Sequence, residues 1–237
     1  MRRGFLIASN YEAERQKHIT AFLQTAPFEL ERIESVYPAF QKVPFKEKLL
    51  SNSLQRAGVA LTEGELGCLL SHREAWHRII ASDAPEHEHF MIFESDSIIN
   101  DIVFLTEQFS NISYYYDLFF WGAWEGHMQL FRRSIKKWSP RYKVGTPFIK
   151  TVYCTYGYSI NKKAARLLLE RTKKPSYPVD QFKRFISQDE IRIGGIVPEV
   201  VSGNTMGSFI RTPRSAVKEF LFRAILDIKN YIICLFK

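Results

Sequence analysis

Two periodicities alternate along this chain. Short apolar runs at Phe5–Ala8, Phe90–Phe93 and Asp117–Gly122 read as strands buried on both faces. Residues 12–25 carry Ala13, Ile19, Phe22 and Leu23 at helical spacing, and Pro27 stops them. Thr62 followed by Glu65 is a capping-box pattern, and the helix it opens runs to about Ser82 with Leu66, Leu69, Leu70, Trp76, Ile79 and Ile80 on its apolar side. Asp101–Phe109 and Asn161–Arg171 read as two further helices, and Phe28–Val36 and Gly195–Val201 as two further strands. Residues 37–60 are weakly patterned, and Pro38, Pro44 and Gly58 mark them as loops. Strands alternating with helices predict an α/β domain with a mostly parallel central sheet and helices on both faces. The tail repeats Val217, Phe220, Leu221, Ala224, Ile225, Ile228, Ile232 and Leu235, which predicts a C-terminal amphipathic helix over 212–237 behind a domain of residues 1–211.

Composition narrows this picture. A length of 237 residues suits one such domain, and an apolar content of 46% allows an ordinary core. No run approaches the ~18 apolar residues of a membrane span, and the apolar stretch after Arg2 and Arg3 is too short for a signal peptide. Cys68, Cys154 and Cys234 are odd in number, widely spaced and without a CxxC, so neither a disulfide framework nor a zinc site is expected, and a reducing, cytoplasmic setting fits. No GxGxxG follows the first strand, and no GxxxxGK[ST] occurs.

The formal net charge of +8 points to an anionic partner. Much of it sits in Arg132, Arg133, Lys136, Lys137, Arg141, Lys143 and Lys150, with no Asp or Glu between 132 and 150. The tail adds Arg211, Arg214, Lys218, Arg223, Lys229 and Lys237 against Glu219 and Asp227. Strand-like ends at Met128–Phe131 and Phe148–Tyr153 make residues 127–153 a hairpin or lid. Trp138, Tyr142 and Phe148 interleave with its cations, a mixture that single-stranded nucleic acid favours. No nucleic-acid motif accompanies it, so no nucleic-acid partner is expected. A solvated loop, or peripheral contact of this hairpin and the tail helix with a membrane, are the readings left.

The chemistry lies at Phe90-Met91-Ile92-Phe93-Glu94-Ser95-Asp96. Ligands of open α/β sheets bind outside the carboxyl ends of strands, and two carboxylates one residue apart on an extended chain point the same way. Glu94 and Asp96 can therefore share a hard divalent cation and, through it, a diphosphate. A solvated turn or a helix cap is the plain alternative.

Several blocks together resemble glycosyltransferase family 25. Glu63-Gly64-Glu65-Leu66-Gly67-Cys68 with Ser71-His72 resembles its GE/GC/SH signature, and Ile92-Phe93-Glu94-Ser95-Asp96 its I-L-E-D-D. Thr155 to Ile160 with Lys163 to Ala165, Pro178-Val179-Asp180, and Pro198 to Val201 through Ser208 to Ile210 resemble its later blocks, so the likeness runs from about residue 4 to 211. Ser95, Ala8 and Ala165 depart from the pattern, and Ser95 keeps open a degenerate member that binds without transferring.

The resemblance implies a GT-A-like fold, Mn²⁺ or Mg²⁺, a UDP-sugar donor (UDP-galactose above all), a lipooligosaccharide or lipopolysaccharide acceptor, inversion, and residence on the inner face of the bacterial inner membrane. Asp96 and Glu94 become the metal ligands, and Glu94 counts also as catalytic. No histidine lies beyond position 127, so a third protein ligand would be Asn204 or Ser202, unless water takes the place. Asp180 is the leading catalytic base, with Asp189 and Glu190 as competitors and a helix N-cap as its structural reading. His72 could contact phosphate or ribose, or pack as a core histidine. Ser71 could cap or contact the nucleotide, Glu65 could bind sugar or close the capping box, and Arg15 could bind phosphate or be a surface charge. A non-enzymatic basic module for anionic polymers or membranes is the competing class, and charge removal at Glu94 and Asp96 separates the two.

Overall fold

The computed structural model describes residues 2–204, 229–231 and 233–235, the side chain of Trp124 excepted. In chain order the elements are β1 (Arg3–Ala8), α1 (Gln16–Thr25), β2 (Glu29–Glu34), α2 (Lys46–Ala57), α3 (Glu63–Ala81), β3 (Phe90–Glu94), β4 (Ser97–Ile99), α4 (Ile102–Ser113), β5 (Leu118–Phe120), β6 (Lys136–Lys137), β7 (Lys143–Gly145), β8 (Gly157–Ile160), α5 (Lys162–Arg171), β9 (Ile193–Val197) and β10 (Val201–Gly203). The main sheet has the order β2-β1-β3-β8-β5-β9-β7-β6. β1 pairs in parallel with β2 and β3, and β5 with β9, while β8 runs antiparallel to both β3 and β5. β7 is antiparallel to β9 and β6. All strands except β8 and β7 thus share one direction.

Strand periodicity explains the two cores. Phe5, Ile7, Phe90, Ile92, Leu118 and Phe120 face one side, where Leu69, Trp76 and Ile79 of α3 and Ala164 and Leu168 of α5 cover them. Leu6, Ala8, Met91, Phe93, Phe119 and Trp121 face the other, under Ile19 and Phe22 of α1 and Leu105, Phe109 and Ile112 of α4. Each large side chain so buried contributes about 1.5–3 kcal/mol, and the continuous apolar runs are what a sheet covered on both sides requires.

Three expectations change. Residues 46–57 are helical, although the sequence reads as loop there; α2 buries Ser53 alone, so it lacks an apolar stripe, and Gly58 ends it at φ 75°. The expected strand at 195–201 splits, because Pro198 has no N–H for a ladder; β9 ends at Val197 and β10 begins at Val201. Within residues 127–153 only β6 and β7, inside the basic stretch, join the sheet, at its edge; the segments expected as strands, Met128–Phe131 and Phe148–Tyr153, form none, although the Phe148 N–H meets the Gln129 carbonyl beside an isolated bridge between Leu130 and Pro147.

β10 pairs with β4 to make a separate two-stranded ladder just past the acidic pair. Gly122 makes this docking feasible, since a Cβ there would stand 1.7 Å from the carbonyl oxygen of Val201. The tail positions from Val217 to Ile228 and the 211/212 boundary lie outside the described residues. Residues 229–231 and 233–235 are helical, with Asn230 and Cys234 buried and Tyr231 and Leu235 exposed. Among the described residues no helix is long and apolar enough to cross a membrane.

Two buried polar clusters tie the sheet together. Asp117, just before β5, receives the backbone N–H and guanidinium of Arg192, the amide of Asn161 and the ammonium of Lys163. Burial alone would raise its carboxyl; these donors hold it well below the usual range. His89 stands between the Ser159 hydroxyl and the Tyr116 carbonyl, and burial lowers its pKa to about 4.

Two predictions follow from the packing and the buried histidine. Gly122→Ala should lose about 3 kcal/mol of unfolding free energy in urea denaturation, because backbone must move to admit the methyl group. His89 in the unfolded chain protonates near 6.5, whereas in the folded chain it resists until about 4. Stability should therefore fall as pH drops from 6.5 to 4, by about 3 kcal/mol, since the unfolded state takes up a proton that the native state refuses. Urea titrations across that window should show a shallower fall in His89→Gln.

Candidate functional site

β3 delivers Glu94 to the carboxyl edge of the sheet with its side chain on the α3 side, as its spacing from Ile92 dictates. Three donors converge on one oxygen. The Thr155 hydroxyl lies 2.6 Å from Glu94 Oε1, His72 Nε2 3.1 Å and Cys68 Sγ 3.6 Å. Oε2 takes none of these bonds. Burial alone would raise the Glu94 carboxyl, but the bonds from His72, Thr155 and Cys68 outweigh it and hold the pKa below its ordinary value.

A chain of buried hydrogen bonds stands behind Glu94. Trp76 Nε1 can only donate, and it does so to the Tyr158 hydroxyl at 2.9 Å. The Tyr158 hydroxyl oxygen also lies 2.9 Å from His72 Nδ1. His72 Nε2 faces the Glu94 carboxylate, which can only accept. Trp76, Tyr158 and His72 are each 0% exposed. His72 is therefore placed in the core, and a direct phosphate contact is not available to it.

The GE/GC/SH block has a physical reading at each position. Thr62 and Glu65 close the capping box, with Thr62 N–H on Glu65 Oε2 at 2.8 Å and Glu65 N–H on Thr62 Oγ1 at 3.1 Å, which ties up the carboxylate proposed for sugar. Gly67 admits the backbone of residue 36; a Cβ there would lie 2.2 Å from the Val36 carbonyl oxygen. Ser71, one turn on, accepts from the Val36 N–H and donates to the Gly67 carbonyl, both at 2.8 Å, and is buried. Cys68 and His72 share the next face, four residues apart, and both reach Glu94.

Beyond Glu94 the strand stops. Ser95 and Asp96 form a turn into β4, so strand alternation does not extend to Asp96. Ser95 points to the opposite side, donating to Glu12 Oε1 and accepting from Arg15 Nη1, each at 2.8 Å. An Asp in place of Ser95 would set a second carboxylate against Glu12, so this departure from the family pattern suits its surroundings. Arg15, expected as a phosphate contact or surface charge, is buried; Nη1 lies 3.2 Å from Glu12 and Nη2 3.6 Å from Asp96. Asp96 is more open, and its carboxyl is pushed up to about 6 by burial and by the charge of Glu94, against the opposing charge of Arg15. Asn204 sits beside it, its N–H donating to the Asp96 carbonyl at 2.8 Å, and Ser202 is turned to Asn100.

Asp180 lies within electrostatic reach of Cys68. Burial raises the Cys68 thiol, and the charges of Glu94, Asp180 and Asp96 add to it. The charges of Glu94, Asp96 and Asp180 thus all bear on one thiol. The short 3₁₀ turn after Asp180 has Gln181 at its N-cap, with no side-chain cap bond. Glu190 is bonded to Arg171 and to the Ser187 N–H, and Asp189 to the Ser187 hydroxyl. Among the described residues, Cys68, His72 and Glu94 also bring three ligand-type atoms within 4.8 Å. Both His72 and Cys68 spend a proton on Glu94, so the set is a hydrogen-bonded anchor, whereas Asp96 and the second oxygen of Glu94 are hard donors for a cation.

Glu12, Thr155, Cys68 and Tyr158 are the participants that sequence reasoning missed. Backbone strain marks the segment that supplies Thr155: Cys154 has φ +67°, an uncommon value for a residue with a side chain.

The profile described as "Glycosyltransferase family 25 (LPS biosynthesis protein)" matches residues 1–183, which include Glu94, Asp96 and Asp180. A Haemophilus influenzae protein described as "Lipooligosaccharide biosynthesis protein lic2B" is 28% identical over 103 residues, 43% of this chain and 36% of that protein. The match thus spans about a third of that relative's length. The family profile covers most of the chain, and the protein belongs to glycosyltransferase family 25.

Proposed function

We propose that this protein is a metal-dependent, inverting glycosyltransferase that moves galactose from UDP-galactose to a lipooligosaccharide or lipopolysaccharide acceptor. The observation that carries the reading is the carboxylate pair at the end of β3. Glu94 is held as an anion by its donors, and Asp96 beside it is pushed up to about 6 because a second negative charge is unfavourable there. Such a place favours a cation. The available donors are hard oxygens, which fits Mn²⁺ or Mg²⁺ with water and phosphate oxygens completing the shell. Asp96 and Glu94 would hold the ion, with Asn204 adjacent, and a divalent ion there supplies Lewis-acid neutralisation of the diphosphate leaving group.

The protein's own residues divide the remaining work. Arg15 holds Asp96 from one side, and His72, Cys68 and Thr155 fix Glu94 from the other, so the two carboxylates are oriented before substrate arrives. Asp180 accepts the proton of the acceptor hydroxyl as that oxygen bonds to the anomeric carbon and the bond to the diphosphate breaks. Its charge bears on the same thiol as those of Glu94 and Asp96, which supports placing it in the site. The Haemophilus influenzae relative supports the acceptor class through its printed description. Trp138, half-buried with its indole N–H on Gln108, and Tyr142, buried with its hydroxyl on Asp101, disfavour a nucleic-acid module.

Thermal-shift titrations of UDP, UDP-galactose, UDP-glucose and UDP-N-acetylglucosamine with Mn²⁺ should raise the melting temperature of the wild type, with UDP-galactose strongest among the sugars. The rise should vanish without Mn²⁺ and in Asp96→Ala. No shift with any of them would remove the metal–nucleotide reading. Asp180→Asn should lower kcat at least about 100-fold, the scale of a lost general base, and leave UDP and Mn²⁺ binding unchanged. An unaltered kcat would move the base elsewhere.

A further inference from the structure

None of the residues that bond to Glu94 or Asp96 above comes from the basic hairpin. β6 is the outer strand of the main sheet, and Lys136 and Lys137 are both exposed. Lys137 lies directly opposite Lys143 in the β6–β7 register. Like charges facing each other across a ladder destabilise it. Arg132, Arg133 and Arg141 add exposed cations, of which Arg141 is partly answered by Asp101 at 3.8 Å.

Aromatic side chains stand beside these cations. Tyr114 and Tyr115, just past α4, are 66% and 53% exposed, and Ile135 is 38% exposed. The Lys136 ammonium lies 5.7 Å from the centre of the Tyr115 ring, and that ring lies 6.3 Å from Trp138. Ser110 and Asn111 complete a shallow cleft with Tyr114, Tyr115 and Trp138.

Lysines on an edge strand commonly serve to prevent edge-to-edge pairing. That role explains lysine on β6 but not lysine facing lysine, nor exposed rings with polar tips next to them. Tyr and Trp with one apolar and one wet end settle at the headgroup level of a bilayer, and adjacent Lys and Arg gain from anionic lipid. Nucleic acid fits less well: Trp138 donates its indole N–H to Gln108, and Tyr142 is buried with its hydroxyl on Asp101, so neither ring is fully offered to a base. We propose that the β6–β7 hairpin and the adjoining end of α4 form a docking face for an anionic lipid bilayer. The proposal does not depend on the transfer reading.

The test is sedimentation of the full chain with vesicles of phosphatidylcholine, with and without phosphatidylglycerol. Wild type should bind only the phosphatidylglycerol vesicles and should be released by salt. Lys136→Glu with Lys137→Glu should weaken that binding at least about tenfold, from about 1 kcal/mol per basic residue at the surface. Lys173→Glu with Lys174→Glu, an equal change of net charge on exposed residues after α5, should change it far less. Tyr114→Ser with Tyr115→Ser should weaken binding while preserving its salt dependence. Circular dichroism and melting temperature establish that each variant folds. Absence of binding to phosphatidylglycerol vesicles, equal loss in both charge-reversal pairs, or full binding by the hairpin pair would each overturn the proposal. Tighter binding to a single-stranded oligonucleotide than to these vesicles would overturn the choice of lipid.

Discussion

A carboxylate at the end of a buried strand must be given donors or be neutralised, and Glu94 imposes that requirement on much of this fold. Two of its donors come from α3, at positions 68 and 72, and the third from position 155, far along the chain. For Cys68 and His72 to reach it, α3 must lie on the sheet at one height and one rotation. The capping box at Thr62 and Glu65 sets where the helix begins, and the close fit of Gly67 and Ser71 to Val36 sets its distance from the end of β2. The motif is therefore a device for placing a helix against one charge.

β8 supplies the other half of the arrangement. It runs antiparallel between β3 and β5, and its consecutive residues Tyr158 and Ser159 face opposite sides. Each accepts an indole N–H, Tyr158 from Trp76 and Ser159 from Trp121, and each lies against a histidine, His72 on one face and His89 on the other. One histidine then serves Glu94, while the other meets the backbone carbonyl of Tyr116. Satisfied networks of this kind specify one arrangement of the core, because losing any member strands a buried polar atom. The site and the centre of the fold thus share their hydrogen bonds.

The second carboxylate is managed differently. Asp96 sits in a turn, and its counter-charge is Arg15, itself buried against Glu12 and Ser95. One carboxylate is fixed by three hydrogen-bond donors and the other is balanced by a neighbouring cation. Glu94 is thereby rigid, whereas Asp96 has a charge balance that an added cation would change.

Period-2 runs, the capping box and the Glu94–Asp96 pair were legible in the sequence because each depends on neighbours within a few residues. They determined the α/β class, most strands, α3 and the position of the acidic centre. The antiparallel run of β8, the β4–β10 ladder and the incorporation of the basic hairpin into the sheet edge were decided by pairing between distant segments, which local pattern does not encode. The roles of Ser71, His72 and Arg15 were decided in the same way. Their chemistry suits a ligand, but burial in the folded chain committed Ser71 to the Val36 N–H and the Gly67 carbonyl, His72 to Glu94, and Arg15 to Glu12 and Asp96. Sequence alone names the groups able to bond; only the tertiary structure decides which partner each one meets, since that choice rests on which groups are withdrawn from water together.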